Sequence, residues 1–305
     1  MSEQLDASVL PDSVDAESVV VDTNGVQLHT VQAGPESGPL VVLLHGFPEC
    51  WYGWHRQLGP LANAGYRVVA VDQRGYNLSE KPSGVASYHL RELAADIVGL
   101  IDAMDRETAA VAGHDWGAAV AWWLGLEYPD RLSRLAVVNV PHPTVFEDTL
   151  RTDWSQRLKS AYFLWFQLPV VPELATELGD WWLGRRALES TSRPGAFSAT
   201  DLDRYRRAWS EPGAMTGMLN WYRAAARYRP QPVRRRVSTP TLVLWGAQDQ
   251  FLNAAMARES LQYCDDGELE LVDEATHWLL HEEPGLVVEA LLEFLPEPPR
   301  PQTEA

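Results

Sequence analysis

Positive charge is scarce in this chain of 305 residues: Lys and Arg number 25 against 42 Asp and Glu, a formal net charge of −17. Only Lys81 and Lys159 are lysines. That balance argues against broad attraction to nucleic acid or to anionic membranes. An acidic surface with Arg in place of Lys is what a halophilic cytoplasm tends to select, and a GC-rich genome would deplete Lys as well. Cysteine is scarce too, and Cys50 and Cys264 cannot make a disulfide framework. The longest apolar run, Trp116–Leu126, is eleven residues, too short to span a bilayer. Glu3, Asp6, Asp12, Asp15 and Glu17 stand before the first His, where a signal peptide would need a basic start and an apolar stretch. No metal-ligand spacing, phosphate loop or dinucleotide fingerprint calls for a cofactor. These absences lead to the expectation of a cofactor-free protein of the cytoplasm, with no nucleic-acid or membrane partner. Its oligomeric state, monomer or homodimer, is left open.

What is present is an alternation of short apolar runs with helical patterns. Ser18–Asp22 and Val26–Gln32 flank Asn24-Gly25, a hairpin signal. Leu40–Leu44 is continuously apolar, as a strand buried on both faces should be. Strands are expected at Arg67–Val71, Thr108–Ala112 and Leu135–Val140. Helices are expected at Trp54–Ala64, Tyr88–Met104 and Trp116–Tyr128. The alternation stops from Pro141 to Thr239, where helical patterns dense in aromatics carry no convincing strand. It resumes with strands Thr241–Trp245 and Leu269–Val272 and helices near Ala254–Tyr263 and Gly285–Leu295. The first sixteen residues and the Pro-rich end from Glu297 read as tails. Strand–helix alternation implies an α/β fold, a mostly parallel sheet with helices on both faces. The expected organisation is one core in two parts, 17–140 and 240–296, interrupted by a helical lid at 141–239.

The central chemical signal is Gly113-His114-Asp115-Trp116-Gly117, a G-x-D-x-G string between a strand and a helix. The usual elbow is G-x-S-x-G, where the nucleophile sits on a strained turn and flanking glycines prevent clashes. An Asp helix cap beside a Gly is the bland alternative, but glycine on both flanks favours the elbow. Asp115 in the central place restricts the chemistry. A carboxylate with a reference pKa of about 3.9 is anionic at neutral pH without a base. It suits displacement at a saturated carbon, with an alkyl ester as intermediate. The leaving group is then a strained ether oxygen, as in an epoxide, or a halide.

Cleaving that ester with water calls for a general base. On such a scaffold the acid and then the histidine follow the nucleophile in chain order. Asp249, just after the strand Thr241–Trp245, and His277, just after Leu269–Val272, fill those places. Histidine has the pKa for base work near neutrality, and a buried Asp would fix its tautomer. His89 and His281 fall in helix-like contexts and read as structural, and His114 should point away from the site. His45-Gly46-Phe47-Pro48 follows the buried strand Leu40–Leu44, where a backbone oxyanion donor is expected. Phe47 N–H would supply it together with the N–H of Trp116. Glu49 and Asp72 near the sheet edge read as loop-orienting residues.

Gly113–Gly117, His45–Glu49, Asp249 and His277 together resemble the α/β-hydrolase fold, in its epoxide hydrolase branch. Gly65–Ala70 and Arg74-Gly75-Tyr76 are similar to the same branch, and the resemblance spans roughly Val19 to Leu295. In that family two lid tyrosines bind and protonate the epoxide oxygen. Tyr162-Phe163-Leu164-Trp165-Phe166-Gln167 resembles the first motif, and Asn220-Trp221-Tyr222-Arg223 the second. The resemblance thus implies Tyr162 and Tyr222 as the acids, and an apolar epoxide and water as reactants. A phenol can donate a hydrogen bond and then a proton to the alkoxide that ring opening generates. Pro48, Trp165 and Trp221, with Trp181 and Trp182, are expected to belong to an aromatic pocket.

Two rivals share the fold. A haloalkane dehalogenase also uses Asp at the elbow followed by Trp, but it usually carries Asn at the place of Phe47 and lacks the tyrosine pair. Fluoroacetate-type dehalogenases place Arg beside the nucleophile, where this chain has Trp116 and Ala119. A catalytically silent ligand-binding homologue would usually have lost a triad member, and all candidates are present. Nine arginines crowd the stretch 204–236 (Arg204, Arg206, Arg207, Arg223, Arg227, Arg229, Arg234, Arg235 and Arg236). They read as partners of the acidic body rather than as an anion site.

Overall fold

The computed structural model describes residues 15–228 and 231–298. Arg229, with most of both expected tails, lies outside the described residues. Eight strands form one sheet: β1 (Ala16–Thr23), β2 (Val26–Ala33), β3 (Leu40–Leu44), β4 (Arg67–Val71), β5 (Ala109–His114), β6 (Leu132–Val138), β7 (Thr241–Gly246) and β8 (Gly267–Val272). Their spatial order is β1-β2-β4-β3-β5-β6-β7-β8, and only β2 runs against the rest. The β1–β2 turn is Asn24-Gly25, both at positive φ, as a two-residue hairpin that follows the strand twist requires. The central strands β3, β4 and β5 are buried almost throughout, which explains their unbroken apolar character.

Helices α1 (His55–Asn63), α2 (Leu90–Ala103), α3 (Trp116–Glu127), α10 (Ala255–Ser260), α11 (Leu279–Glu282) and α12 (Pro284–Phe294) accompany the sheet. α3 is apolar nearly all round because it packs against β3, β5 and β6 at the centre. Between β6 and β7 lie further helices: α4 (Pro143–Thr152), α5 (Trp154–Lys159), α6 (Tyr162–Trp165), α7 (Val171–Thr191, broken by non-helical backbone at Leu178, Gly179, Asp180 and Trp181), α8 (Ala199–Ser210) and α9 (Ala214–Arg227). No strand occurs in this stretch among the described residues. No helix among them is long and apolar enough to cross a membrane.

The parallel register delivers the chemistry to one edge. Leu44 pairs with Gly113 and with Val71, and Val138 pairs with His114 and with Leu244. The loops holding His45, Asp72, Asp115, Asn139 and Asp249 therefore all leave the same carboxyl end of the sheet. The helical stretch docks on these loops through polar contacts. The Trp221 indole donates to the carbonyl of Arg74, 2.9 Å away, and the Trp209 indole to that of Pro48. The Tyr52 hydroxyl meets Asp201 at 2.6 Å.

Two sequence readings are corrected. β6 runs from Leu132 to Val138 and not from Leu135 to Val140, because Asn139 takes φ 56° and turns the chain out of the sheet. β1 already begins at Ala16, inside the expected tail.

The loop carrying Arg74 is pinned by a buried bidentate pair, with Arg74 Nε and Nη2 2.7 and 2.6 Å from the Asp96 carboxylate on α2. Asp96→Ala leaves that guanidinium buried and unpaired. It should cost about 3–5 kcal/mol, read as a lowered urea midpoint. A loss within about 0.5 kcal/mol would show the pair to be dispensable.

Candidate active site

Asp115 stands between β5 and α3 at φ 49° and ψ −120°, a left-handed conformation costly for a residue with a Cβ. The surrounding glycines explain how the turn closes. A Cβ on Gly117 would lie 2.2 Å from the Leu44 carbonyl oxygen, and one on Gly46 2.2 Å from the Asp115 Cβ. The elbow is thus packed directly on the end of β3. That contact brings the Phe47 N–H within 2.7 Å of Asp115 Oδ1. Trp116 opens α3 immediately after the carboxylate. The Phe47-Pro48 peptide bond is cis.

On the other side of the carboxylate, His277 Nε2 lies 3.5 Å from Asp115 Oδ2. His277 Nδ1 lies 2.7 Å from Asp249 Oδ2, so the imidazole spans the two acids. Burial alone would depress the imidazole pKa, but the charges and hydrogen bonds of Asp249 and Asp115 outweigh it and raise it to about 10. Burial likewise works against the Asp249 carboxylate. The facing His277, the Asn139 amide and the Leu252 N–H overcome this and hold its pKa below the ordinary value.

Asn139 was not anticipated. Its Nδ2 donates to Asp249 Oδ2 at 2.8 Å, and its Oδ1 accepts from the Gly246 N–H at 3.0 Å. In the sequence it is a lone Asn inside the expected strand Leu135–Val140, and it becomes meaningful only once β6 ends at Val138 beside β7. Phe251 is a second addition, its ring 5.1 Å from that of His277.

Behind His277 lies a buried cluster centred on Glu49. Its carboxylate meets His281 Nε2 at 2.6 Å, the Tyr205 hydroxyl at 2.8 Å and His114 Nδ1 at 3.1 Å. Burial opposes its ionisation, yet the two histidines hold its pKa well below the ordinary value. His114 Nε2 in turn lies 2.8 Å from the His277 carbonyl. Glu49 therefore links α8, the elbow strand and the loop that carries His277. Asp72 has an equally local role, accepting from the Trp51 N–H and the Asn77 amide and meeting His29.

The helical stretch lays aromatic rings over Asp115. Tyr162 on α6 and Tyr222 on α9 have ring centroids 6.0 Å apart. The Tyr222 ring is 5.0 Å from Trp116, 5.1 Å from Phe47 and 4.8 Å from Phe163, edge to face in each case. Burial, reinforced by the charge of Asp115, pushes both phenols well above their ordinary pKa, so they are donors at any working pH.

Not every expected pocket residue joins this group. Trp221 is buried, with its ring against Trp116 and its indole N–H used on Arg74. The Trp165 ring packs on Phe166, which itself faces Tyr222, so Trp165 stands one layer back. Trp181 packs on Trp209, and Trp182 is exposed to solvent. The arginine-rich stretch is corrected in part. Arg206 and Arg207 pair with Asp203, and Arg223 pairs with Glu173, all within the helical stretch, while Arg236 pairs with Asp265 of the body.

The model of the alpha/beta hydrolase fold matches residues 39–284. The chain is 47% identical over 275 residues to the AB hydrolase superfamily protein YfhM of Bacillus subtilis, covering 90% of this chain and 96% of that one. It is 37% identical over 288 residues to Epoxide hydrolase 4 of Homo sapiens, covering 92% and 79%. Among solved structures, an epoxide hydrolase of Bacillus megaterium in complex with an inhibitor superposes with a TM-score of 0.83 at 31% identity. That match covers 90% of this chain and 99% of that one.

The electrostatics of the site predict a titration. The His277 imidazole, followed by nitrogen-15 NMR in the free protein, should titrate with a midpoint near 10. In Asp115→Asn, which removes one flanking charge, the midpoint should fall. A wild-type midpoint below 7, or none of the expected fall, would contradict the arrangement.

Proposed function

This chain belongs to the α/β-hydrolase fold family, in its epoxide hydrolase branch, and is a hydrolase; we propose that it converts an apolar epoxide and water to a vicinal diol through an ester on Asp115. In this reading 17–140 and 240–296 form the catalytic core and 141–239 the lid. The enzyme works in the cytoplasm without a cofactor. Its two cysteines, both free and buried, suit a reducing compartment. The observation that carries the proposal is the placement of Asp115. It lies between the Phe47 N–H and His277, under two phenols whose pKa its own charge helps to raise.

The first step is displacement. The epoxide oxygen accepts hydrogen bonds from Tyr162 and Tyr222 while Asp115 attacks a ring carbon from the opposite side. One C–O bond forms, the strained C–O bond breaks, and a phenol proton passes to the departing oxygen. The aromatic surround of Phe47, Trp116, Phe163, Phe166 and Phe251 favours an apolar substrate.

The second step is hydrolysis, and the first prepares it. Forming the ester neutralises Asp115, so His277 loses one of the two charges that raise its pKa. The imidazolium then gives its proton up to restore the phenol that protonated the departing oxygen, and the neutral imidazole deprotonates a water. Asp249, held by Asn139, keeps the imidazole oriented. Hydroxide adds to the ester carbonyl carbon, and the oxyanion faces the N–H groups of Phe47 and Trp116. Collapse breaks the ester C–O bond, the departing oxygen takes up the remaining water proton, and diol and carboxylate are restored.

Dehalogenation is the weaker reading. A halide needs N–H donors, whereas the groups that the helical stretch brings to Asp115 are the two phenols, whose pKa its charge helps to raise.

Three outcomes test the mechanism. His277→Gln should cut turnover by roughly 10²–10⁴-fold, the usual worth of a general base, while the protein gains the mass of the epoxide. No adduct with a substrate that the wild type turns over would remove His277 from the second step. Replacing both Tyr162 and Tyr222 by Phe should abolish ring opening, and retained activity would remove the phenols from the mechanism. Halide release from haloalkanes at rates matching epoxide hydrolysis would overturn the assignment.

A further inference from the structure

The lid is built inside out over one stretch. Ten of the fifteen exposed large apolar side chains among the described residues fall between Trp154 and Leu183. On α5, Gln156 is buried, its amide bonded to the Phe251 carbonyl and the Asn253 N–H, whereas Trp154 and Leu158 are 66% and 60% exposed. At the start of α7 the inward groups are Pro172, Thr176 and the Glu173–Arg223 pair, and the outward ones are Val171, Leu174 and Leu178. On α6, between them, Tyr162 faces the catalytic centre and Leu164 is 74% exposed. A surface helix normally shows the reverse pattern.

The geometry points to a self-association face: we propose that α5, α6 and the first half of α7 form an isologous interface between two copies of this chain. Three observations select a second copy. First is area. Ten such side chains together expose apolar surface on the order of 1,000 Å², comparable with the ~800 Å² each partner buries in a standard interface. Second is charge. Bodies of net charge −17 repel one another, so two copies approach best where acids are missing. No acid occurs from Trp154 to Pro172, while Arg157 and Lys159 do. Third is composition. Two exposed tryptophans and a run of Leu and Val lead into polar Glu177, Asp180, Arg185 and Arg186, the apolar centre and polar rim of an interface. A membrane surface fits less well: two cations beside the patch are few against the repulsion of the acidic body by anionic lipid. The proposal stands independently of the epoxide reading.

Sedimentation velocity of the full chain at micromolar concentration tests it. The wild type should run at twice its 34.1 kDa chain mass. The double variant Leu174→Glu/Leu178→Glu should weaken association by about a hundredfold or more and run as a monomer. Trp154→Glu, on a separate helix, should also weaken it, whereas Val20→Glu on β1 should remain dimeric. Far-ultraviolet circular dichroism should be unchanged in all of them, since the substituted side chains are exposed. A monomeric wild type, or a dimer that survives both lid variants, would overturn the proposal. So would a monomer that cosediments with phosphatidylcholine vesicles, which would assign the face to a lipid surface.

Discussion

The site depends on one buried arrangement, an imidazole held between two carboxylates. His277 touches Asp249 through Nδ1 and faces Asp115 through Nε2. Neither acid is free to relax. Asp249 is fixed by Asn139 and by the N–H groups of Phe251 and Leu252. Asp115 is fixed by its own left-handed backbone, by the Phe47 N–H and by glycine contacts that leave no room for another side chain. Strain at the elbow and the central sheet that supports it are therefore parts of one device. The strain is affordable because β3, β5 and α3 around it are almost wholly buried.

That arrangement gives the proposed two-step chemistry its order. While Asp115 is a carboxylate, His277 is held cationic and completes an ion-paired row. Once Asp115 is esterified, one counter-charge is gone and the same imidazole becomes a base. The helical stretch between β6 and β7 contributes in a different way: its phenols are kept protonated by burial and by the charge of Asp115. The Glu49 cluster ties the two together, since Tyr205 comes from α8 of the helical stretch and His114 reaches the backbone of His277.

Much of this was legible in the sequence, for identifiable reasons. Strands β3, β4 and β7 follow from continuous apolar runs between turn signals, and the elbow from two glycines around Asp115. His277 and Asp249 follow from chain order. Tyr162 and Tyr222 do not follow from spacing in a chain with 30 aromatics, and only the family resemblance marks them. What stayed hidden depends on distant segments meeting. Asn139 matters because β6 neighbours β7, and Glu49 because residues 65, 156 and 232 positions away converge on it. Trp165 and Trp182 mislead for the complementary reason, since an aromatic near a motif can equally face the second layer or the solvent.

The central claim is that oxygen reaches the diol from Asp115 and not directly from water. A single turnover in ¹⁸O-enriched water, with enzyme in excess over epoxide, tests it directly. The ester route predicts a first-turnover diol without the label and a peptide containing Asp115 that has gained it. A labelled diol with an unlabelled Asp115 peptide would contradict the account, because water would then have attacked the epoxide itself.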